Sequence, residues 1–363
     1  MKYLIVTNHS YMFWQFRREL VKELLKKGEV LLATPYVGHE KDFMDLGCRC
    51  IETKMERRGT NPFQEISLFR TYLRLLKREK PDLVITYSIK PNIYVGLLCR
   101  LMRIPYCANV QGLGTAFQSR KMASLVSLLY RISLSRARRV FFENKANATL
   151  FVRRKILPAR KITLLTGAGV NLEYFPLKPY PSEEGGIHFL YLGRIMREKG
   201  MDELVSAMYR LKEEFRDKVH FDLVGFYEDD YKEKVDEMSR QGILDFHGFQ
   251  EDPRPWYASS HCIVLPSWHE GMSNVLLEGA ASGRALITSD IPGCREAVDE
   301  GGTGYLTEVK NADSLYAAMK SFLLLSSEER AEMGRRGRRK MEKEFDRRKV
   351  VKKVMFYIRG CYR

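Results

Sequence analysis

His269-Glu270-Gly271-Met272-Ser273-Asn274-Val275-Leu276-Leu277-Glu278 sets two carboxylates on either side of a helix start. The run before it, Cys262-Ile263-Val264-Leu265-Pro266, is short and apolar and reads as a buried strand. Gly271 and the small or polar residues after it make a turn. Ser273 or Asn274 serves as N-cap, so the pattern predicts a helix that begins near Val275 and stops at Gly283. The N–H groups of a first helical turn attract an anion, phosphate above all. Glu278 lies about one turn along, within reach of a ribose diol whose diphosphate rests on that helix end. Two glutamates at this spacing alone would read as surface acids. The strand, the glycine and the small-residue turn together make the stretch a candidate site.

A second cluster follows another strand, Ile187–Leu192. It reads Gly193-Arg194-Ile195-Met196-Arg197-Glu198-Lys199-Gly200. Gly193 permits a tight turn, and Arg194 and Lys199 put fixed positive charge at the strand end. Arg grips phosphate oxygens bidentately and Lys acts as a point charge. A departing diphosphate gains charge as its bond breaks, so cations there stabilise the transition state above the ground state. As a lone feature the cluster would equally suit a charged loop making surface pairs.

Outward from these stretches the chain alternates strand and helix. Residues 3–7, 30–34, 82–87, 105–110 and 140–143 read as strands, with helices between, including 62–80, 91–103 and 121–138. Pro176, Pro179, Pro181, Gly185 and Gly186 punctuate a linker. A second series has strands at 187–192, 220–224, 244–247, 262–265 and 285–288, with helices near 200–215, 229–241, 253–259 and 274–282. The tail from about Ala331 reads as helical and basic. The expected fold class is α/β, with two doubly wound parallel sheets. Ligands of such sheets bind beyond the carboxyl ends of the strands, which points to a cleft between the two units.

The 363 residues suit two domains, and the apolar content suits two cores. No stretch has the length and apolarity of a transmembrane helix, and the chain enters a strand directly without a signal-like segment. Seven scattered cysteines without a Cys-x-x-Cys pair read as reduced cytosolic thiols. Residues 1–180 carry 32 Lys/Arg against 13 Asp/Glu, residues 181–342 carry 21 against 30, and residues 343–363 carry 8 against 2. A basic half beside an acidic half points to a one-sided anionic partner: nucleic acid, a membrane surface or a lipid diphosphate. No aromatic–basic reader motif is present, and the acidic half argues against nucleic acid. No Asp-x-Asp sits at a suitable strand end, so no metal site is expected. The basic stretches 68–78 and 121–139 mix apolar and cationic positions that would suit anionic lipid.

The Glu270 to Glu278 stretch resembles the Glu-x7-Glu motif of the family 4 retaining glycosyltransferases, which have the GT-B architecture. The Gly193-Arg194…Lys199-Gly200 run resembles their Gly-Arg…Lys-Gly signature. Tyr87-Ser88-Ile89-Lys90-Pro91-Asn92, Asn109-Val110-Gln111-Gly112-Leu113-Gly114-Thr115, Phe142-Glu143-Asn144 and Gly167-Ala168-Gly169-Val170-Asn171 resemble a narrower branch, which extends undecaprenyl-diphosphate-linked sugars in N-glycan and capsule assembly. The resemblance implies a UDP-sugar donor, needing no cofactor. Its diphosphate would lie on Arg194, Lys199 and the turn Gly271, Met272, Ser273, Asn274 and Val275. The ribose would lie on Glu278 and the sugar against Glu270, with backbone of Gly225 and Phe249 at the base. It makes Glu270, Lys199 and Arg194 the catalytic candidates. His9, Lys90, Asn92, Gln111, Gly112 and Glu143 stand on the acceptor side, facing a polyprenyl-diphosphate-linked sugar.

Two departures from the family matter. Asn8-His9-Ser10 replaces a Gly-Gly loop, and Gln111-Gly112 replaces a His-Gly, so position 111 hydrogen-bonds but moves no proton. The implied organisation is an acceptor-side unit over 1–176, a linker over 177–186, a donor unit over 187–342, and a helix over 343–363 returning to the first unit. The expected location is cytoplasmic, peripheral on the inner face of the membrane. A GT-B sugar-nucleotide epimerase and a basic nucleic-acid-binding protein are the rival readings.

Overall fold

The computed structural model describes residues 1–55, 61–112, 117 and 120–361, without the side chains of Arg120 and Lys121. It divides into two compact units, Met1–Ala168 with Arg348–Arg363, and Gly169–Arg347.

The first unit carries β1 (Lys2–Val6), α1 (Ser10–Leu25), β2 (Glu29–Thr34), α2 (Glu40–Asp45), β3 (Arg49–Glu52), α3 (Pro62–Glu79), β4 (Leu83–Tyr87), α4 (Ile89–Met102), β5 (Tyr106–Val110), α5 (Arg120–Ser133), β6 (Arg139–Phe142), α6 (Lys145–Arg153) and β7 (Ile162–Leu164). The strands form one sheet in the order β3-β2-β1-β4-β5-β6-β7, with every pairing parallel. β4 and β5 are buried throughout, which is why both read as unbroken apolar runs. Asn61 caps α3 by accepting from the Phe63 N–H at 3.1 Å, with Pro62 in the first turn.

The second unit carries β8 (Ile187–Leu192), α7 (Met201–Phe215), β9 (Val219–Val224), α8 (Lys232–Arg240), β10 (Asp245–Phe246), α9 (Arg254–Ser259), β11 (Cys262–Leu265), α10 (Asn274–Ala281), β12 (Ala285–Ser289), β13 (Gly304–Thr307), α11 (Ala312–Leu324) and α12 (Ser327–Lys340). Its sheet runs β10-β9-β8-β11-β12-β13, again all parallel. In each sheet the winding direction reverses once, between β1 and β4 and between β8 and β11. Those reversals leave loops diverging beyond the strand ends, where an open α/β sheet binds its ligand.

Two boundaries differ from the sequence reading. Residues 169–186 belong with the second unit rather than ending the first or standing apart as a linker. Val170, Leu172 and Phe175 are buried in the second unit's core, and the Lys178 N–H donates to the Ser282 carbonyl at 3.2 Å. The prolines break regular structure there without loosening the packing. At the other end, α13 (Arg347–Arg359) crosses the division. Val350, Val354, Met355, Ile358 and Cys361 lie in the first unit's core with Phe13, Leu20 and Tyr87.

Of the two basic stretches, 68–78 directs Leu68, Tyr72, Leu75 and Leu76 inward. Those four residues are committed to the core, while Phe63 and Ile66 in the first turns of the same helix are 84% and 50% exposed.

Ile358 is fully enclosed although its core, outside residues 350–361, ends at Leu165. Ile358→Ala should cost about 2–5 kcal/mol. Hydrogen exchange checks it: protection should fall across residues 1–168 and hold across 169–347.

Candidate active site

Backbone close approaches build the site of the second unit. Gly193 and Gly225 end β8 and β9 with φ of +157° and +155°, and a Cβ on Gly225 would lie 1.8 Å from the Gly193 carbonyl oxygen. The Gly193 N–H donates to Val224 O and the Gly225 N–H to Gly248 O, both at 2.9 Å. Phe226 and Phe249 project half-exposed beyond these turns, their ring centres 6.2 Å apart. Arg194 forms an ion pair with Glu228 of the loop after β9, and its own carbonyl accepts from the Tyr191 hydroxyl at 2.6 Å. Lys199 ends a single 3-10 turn, and Gly200 follows with φ +76°. A Cβ there would stand 2.1 Å from the Pro266 carbonyl oxygen, so Gly200 lets the Lys199 loop lie on the end of β11.

Glu270 receives that loop. Its carboxylate is ion-paired with Lys199 and accepts from the Ser267 hydroxyl at 3.0 Å. Gly293, φ +91°, closes the other side: a Cβ on it would meet the Gly271 carbonyl oxygen at 2.6 Å. The Ser273 N–H donates to the Gly293 carbonyl at 2.8 Å. α10 starts at Asn274 with Ser273 as N-cap, and the Ser273 side chain makes no capping hydrogen bond. Met272 and Ser273 are buried. Asn274 Oδ1 is buried without a hydrogen-bond partner.

Glu278, in the second turn of α10, is buried and does not pair with Lys199. The Tyr257 hydroxyl donates to its Oε2 at 3.0 Å. Burial pushes its pKa up to about 7, against the pull of Tyr257 and of the Arg347 guanidinium.

His9, Asn92, Lys90 and Glu143, singled out in the first unit, have partners within the fold. His9 caps α1, its Nδ1 accepting from the Met12 N–H at 3.4 Å. Asn92 is fully enclosed: Oδ1 accepts from Thr86 Oγ1 at 2.6 Å and Nδ2 donates to Asn109 O at 2.8 Å. It ties α4 to β5 and presents nothing to a ligand, a correction to its acceptor-side reading. Lys90 pairs with Glu65, which also accepts from the Tyr94 hydroxyl at 2.6 Å. Glu143 pairs with the buried Arg17, whose guanidinium lies 5.5 Å from the Tyr87 ring centre. Burial raises the Glu143 pKa, while Arg17 and a hydrogen bond from Gln111 oppose the rise. Gln111 and Gly112 are half-buried at the end of β5. Leu113, Gly114 and Thr115 lie outside the described residues. Ser88 holds φ +72° at the end of β4 and donates to Asn8 Oδ1 at 2.7 Å. That strained position joins the loops on either side of the sheet's reversal.

Residues 2–144 match the sequence profile described as "Glycosyl transferase 4-like", and residues 186–324 match "Glycosyl transferases group 1". The chain belongs to the family 4 glycosyltransferases. A Campylobacter jejuni relative, N,N'-diacetylbacillosaminyl-diphospho-undecaprenol alpha-1,3-N-acetylgalactosaminyltransferase, is 29% identical over 334 residues, 87% of each chain. The Escherichia coli UDP-Gal:alpha-D-GlcNAc-diphosphoundecaprenol alpha-1,3-galactosyltransferase is 26% identical over 299 residues, 78% of this chain and 76% of the relative. Among solved structures, Anabaena HepE in complex with UDP and glucose superposes with a TM-score of 0.81 at 16% identity, over 99% of this chain and 100% of that one. The glycosyltransferase therefore has the GT-B fold, with its Arg194, Lys199 and Glu270 gathered at the reversal between β8 and β11.

Sequence reasoning missed Ser267, Gly293, Tyr257, Glu228 and Arg17. Pro292-Gly293, just beyond Asp290 and Ile291 after the strand, was a turn signal that could have flagged the loop packed on Gly271. The others are partners supplied by distant elements, and spacing carries no trace of them.

The Glu278 pKa predicts a pH signature. Its folded value, about 7, lies above the ordinary carboxyl value of 4.5. The unfolded chain then releases this proton first. Stability is full below pH 4.5, falls as pH rises through about 7, and is flat beyond, with a slope of at most about 1.4 kcal/mol per unit. Glu278→Gln should abolish that part of the decline when denaturant midpoints are compared between pH 5 and pH 8.

Proposed function

We propose that the chain moves a hexose or N-acetylhexosamine from a UDP-sugar to an undecaprenyl-diphosphate-linked glycan, with retention of configuration and without a metal ion. Supporting this is the Lys199–Glu270 pair at the mouth of an uncapped helix start, in a chain resembling two transferases whose names carry that acceptor class.

In this reading the donor diphosphate takes the N–H groups of the first turn of α10 together with Arg194 and Lys199. Both cations already have carboxylate partners, Glu228 and Glu270. The diphosphate competes for them, so their geometry is held before it arrives. Glu278 accepts from the ribose hydroxyls. Phe226 and Phe249 offer aromatic faces beside the base-reading backbone of Gly225 and Phe249.

The bond between the anomeric carbon and the β-phosphate oxygen breaks, and its electron pair leaves with UDP. Lys199 and Arg194 offset the charge that develops there, and Glu270 supports positive character at the anomeric carbon. The acceptor hydroxyl forms the new bond on the face the phosphate leaves and gives its proton to the departing phosphate oxygen. No strong enzymic base is then needed, which suits a glutamine at position 111. His9 and Glu143 serve structure in this scheme, one as a cap and the other as the partner of Arg17. Lys90 and Gly112 remain acceptor-side residues.

In this reading the transferase works at the inner face of the cell membrane as a peripheral protein, a location that the acceptor class and the basic first unit support. No helix among the described residues is long and apolar enough to cross a membrane.

UDP release tests the reaction directly, using a panel of UDP- and GDP-sugars with and without a short-chain polyprenyl-diphosphate-linked sugar. Release should require one UDP-sugar together with the lipid acceptor. Donor conversion to an epimer without acceptor would replace the transfer reading. Lys199→Ala should lower kcat about 10²–10³-fold with little change in donor KM, whereas Glu278→Ala should act mainly on donor KM. Chelator should leave the rate unchanged.

A further inference from the structure

A helix on the surface of a soluble domain buries one stripe and turns polar residues outward. α5 departs from this rule. Ala123, Val126 and Tyr130 face the first unit's core. On the opposite side Met122, Leu125, Leu128 and Ile132 are 44%, 53%, 49% and 39% exposed. Their spacing of three and four residues keeps them on one face, so the helix is apolar on two sides.

The edge between those sides is polar and cationic. A groove of about 390 Å³ runs along it, lined by Ser124, Ser127, Leu128, Arg131 and Arg154. Arg154 follows α6 and donates to Ser127 Oγ at 3.2 Å, while Arg131 donates to the Arg154 carbonyl at 2.9 Å. The two guanidiniums are thereby fixed on one side of the apolar row.

Charge around the row has one sign. Residues 120–161 contain twelve Lys/Arg and a single acid, Glu143, which is buried against Arg17. Arg131, Arg136, Arg138, Arg153, Arg154, Lys155 and Arg160 are exposed, and none makes an ion pair with a carboxylate among the described residues. At 14 residues α5 reaches about 21 Å, too short to span a bilayer but suited to lying in its interface.

We propose that the outer face of α5 is a bilayer-docking surface. Met122, Leu125, Leu128 and Ile132 enter the acyl boundary of an anionic membrane, and the Arg131–Arg154 groove takes a lipid phosphate headgroup. A protein partner would need a strongly acidic face with an apolar centre to match this surface. An anionic bilayer supplies both as a matter of course. The proposal deepens the membrane part of the proposed function and uses none of the reacting residues.

Co-sedimentation of the full chain with vesicles tests it. Wild-type protein should bind vesicles of phosphatidylglycerol with phosphatidylcholine and should bind phosphatidylcholine alone far more weakly. Leu125→Ser/Leu128→Ser, at exposed sites, should fold normally and lose binding about 10-fold or more at physiological salt. Arg131→Gln/Arg154→Gln should lose the preference for anionic lipid while retaining weak adsorption. UDP release with the short-chain acceptor should be unchanged in the leucine variant, so a failed docking surface and a failed transfer reading give different results. Two outcomes overturn the proposal: leucine-variant binding equal to wild type, or a wild-type dimer in light scattering that the leucine substitutions convert to monomer without affecting lipid binding.

Discussion

The Gly200 backbone lies so near the Pro266 carbonyl that no side chain fits between them, and this approach governs the donor-side architecture. It brings the loop after β8 down on the end of β11, which sets Lys199 against Glu270. Gly293 makes the matching approach from the far side, its carbonyl accepting from Ser273 just before α10 begins. Three loops from three adjacent strands are thus packed backbone to backbone. Side-chain contacts alone would leave each loop free to drift, and the phosphate site proposed here needs its donors fixed within a fraction of an ångström.

Electrostatics follow from that packing. Lys199 and Arg194 each already hold a carboxylate, so the strand ends carry balanced charge rather than a bare positive field. In the proposed reading a diphosphate exchanges partners there instead of filling a vacant cationic pocket. Glu278 is the counter-case. It is buried with one tyrosine hydroxyl and the field of Arg347, which leaves its carboxyl near its titration point at neutral pH. A carboxyl poised in this way accepts a hydroxyl donor at small desolvation cost, since most of that cost is already met by the fold.

In the first unit the same parallel-sheet logic serves different chemistry. Its sheet reverses between β1 and β4, where His9, Ser88 and Lys90 gather, yet the cap, the strained turn and the ion pair there are mostly occupied in holding loops. The Arg17–Glu143 pair sits buried beneath them. Breaking either partner would leave an uncompensated charge inside the unit, so the pair is a constraint on the loops above it. The last helix completes the same core from the far end of the chain. This explains how a basic, lysine-rich tail can end in a buried Ile358 and Cys361.

Most of the architecture was legible in the residues. Strands such as β8 and β11 announced themselves as short apolar runs, Asn61-Pro62 marked a helix start, and Gly193 and Gly271 marked turns of the candidate site. These signals are local: a buried strand needs continuous apolar residues, and a cap or a tight turn needs particular residue types. The elements α2, β3, α6, β7, β13 and α11 were not read, the shortest of them because too few residues repeat to show a period. Tertiary structure alone decided which carboxylate meets which cation, that Asn92 is enclosed, that residues 169–186 pack with the second unit, and that α5 keeps an apolar row exposed along its outer face. Sequence periodicity gives a helix its faces, but only the packed chain determines which face is covered.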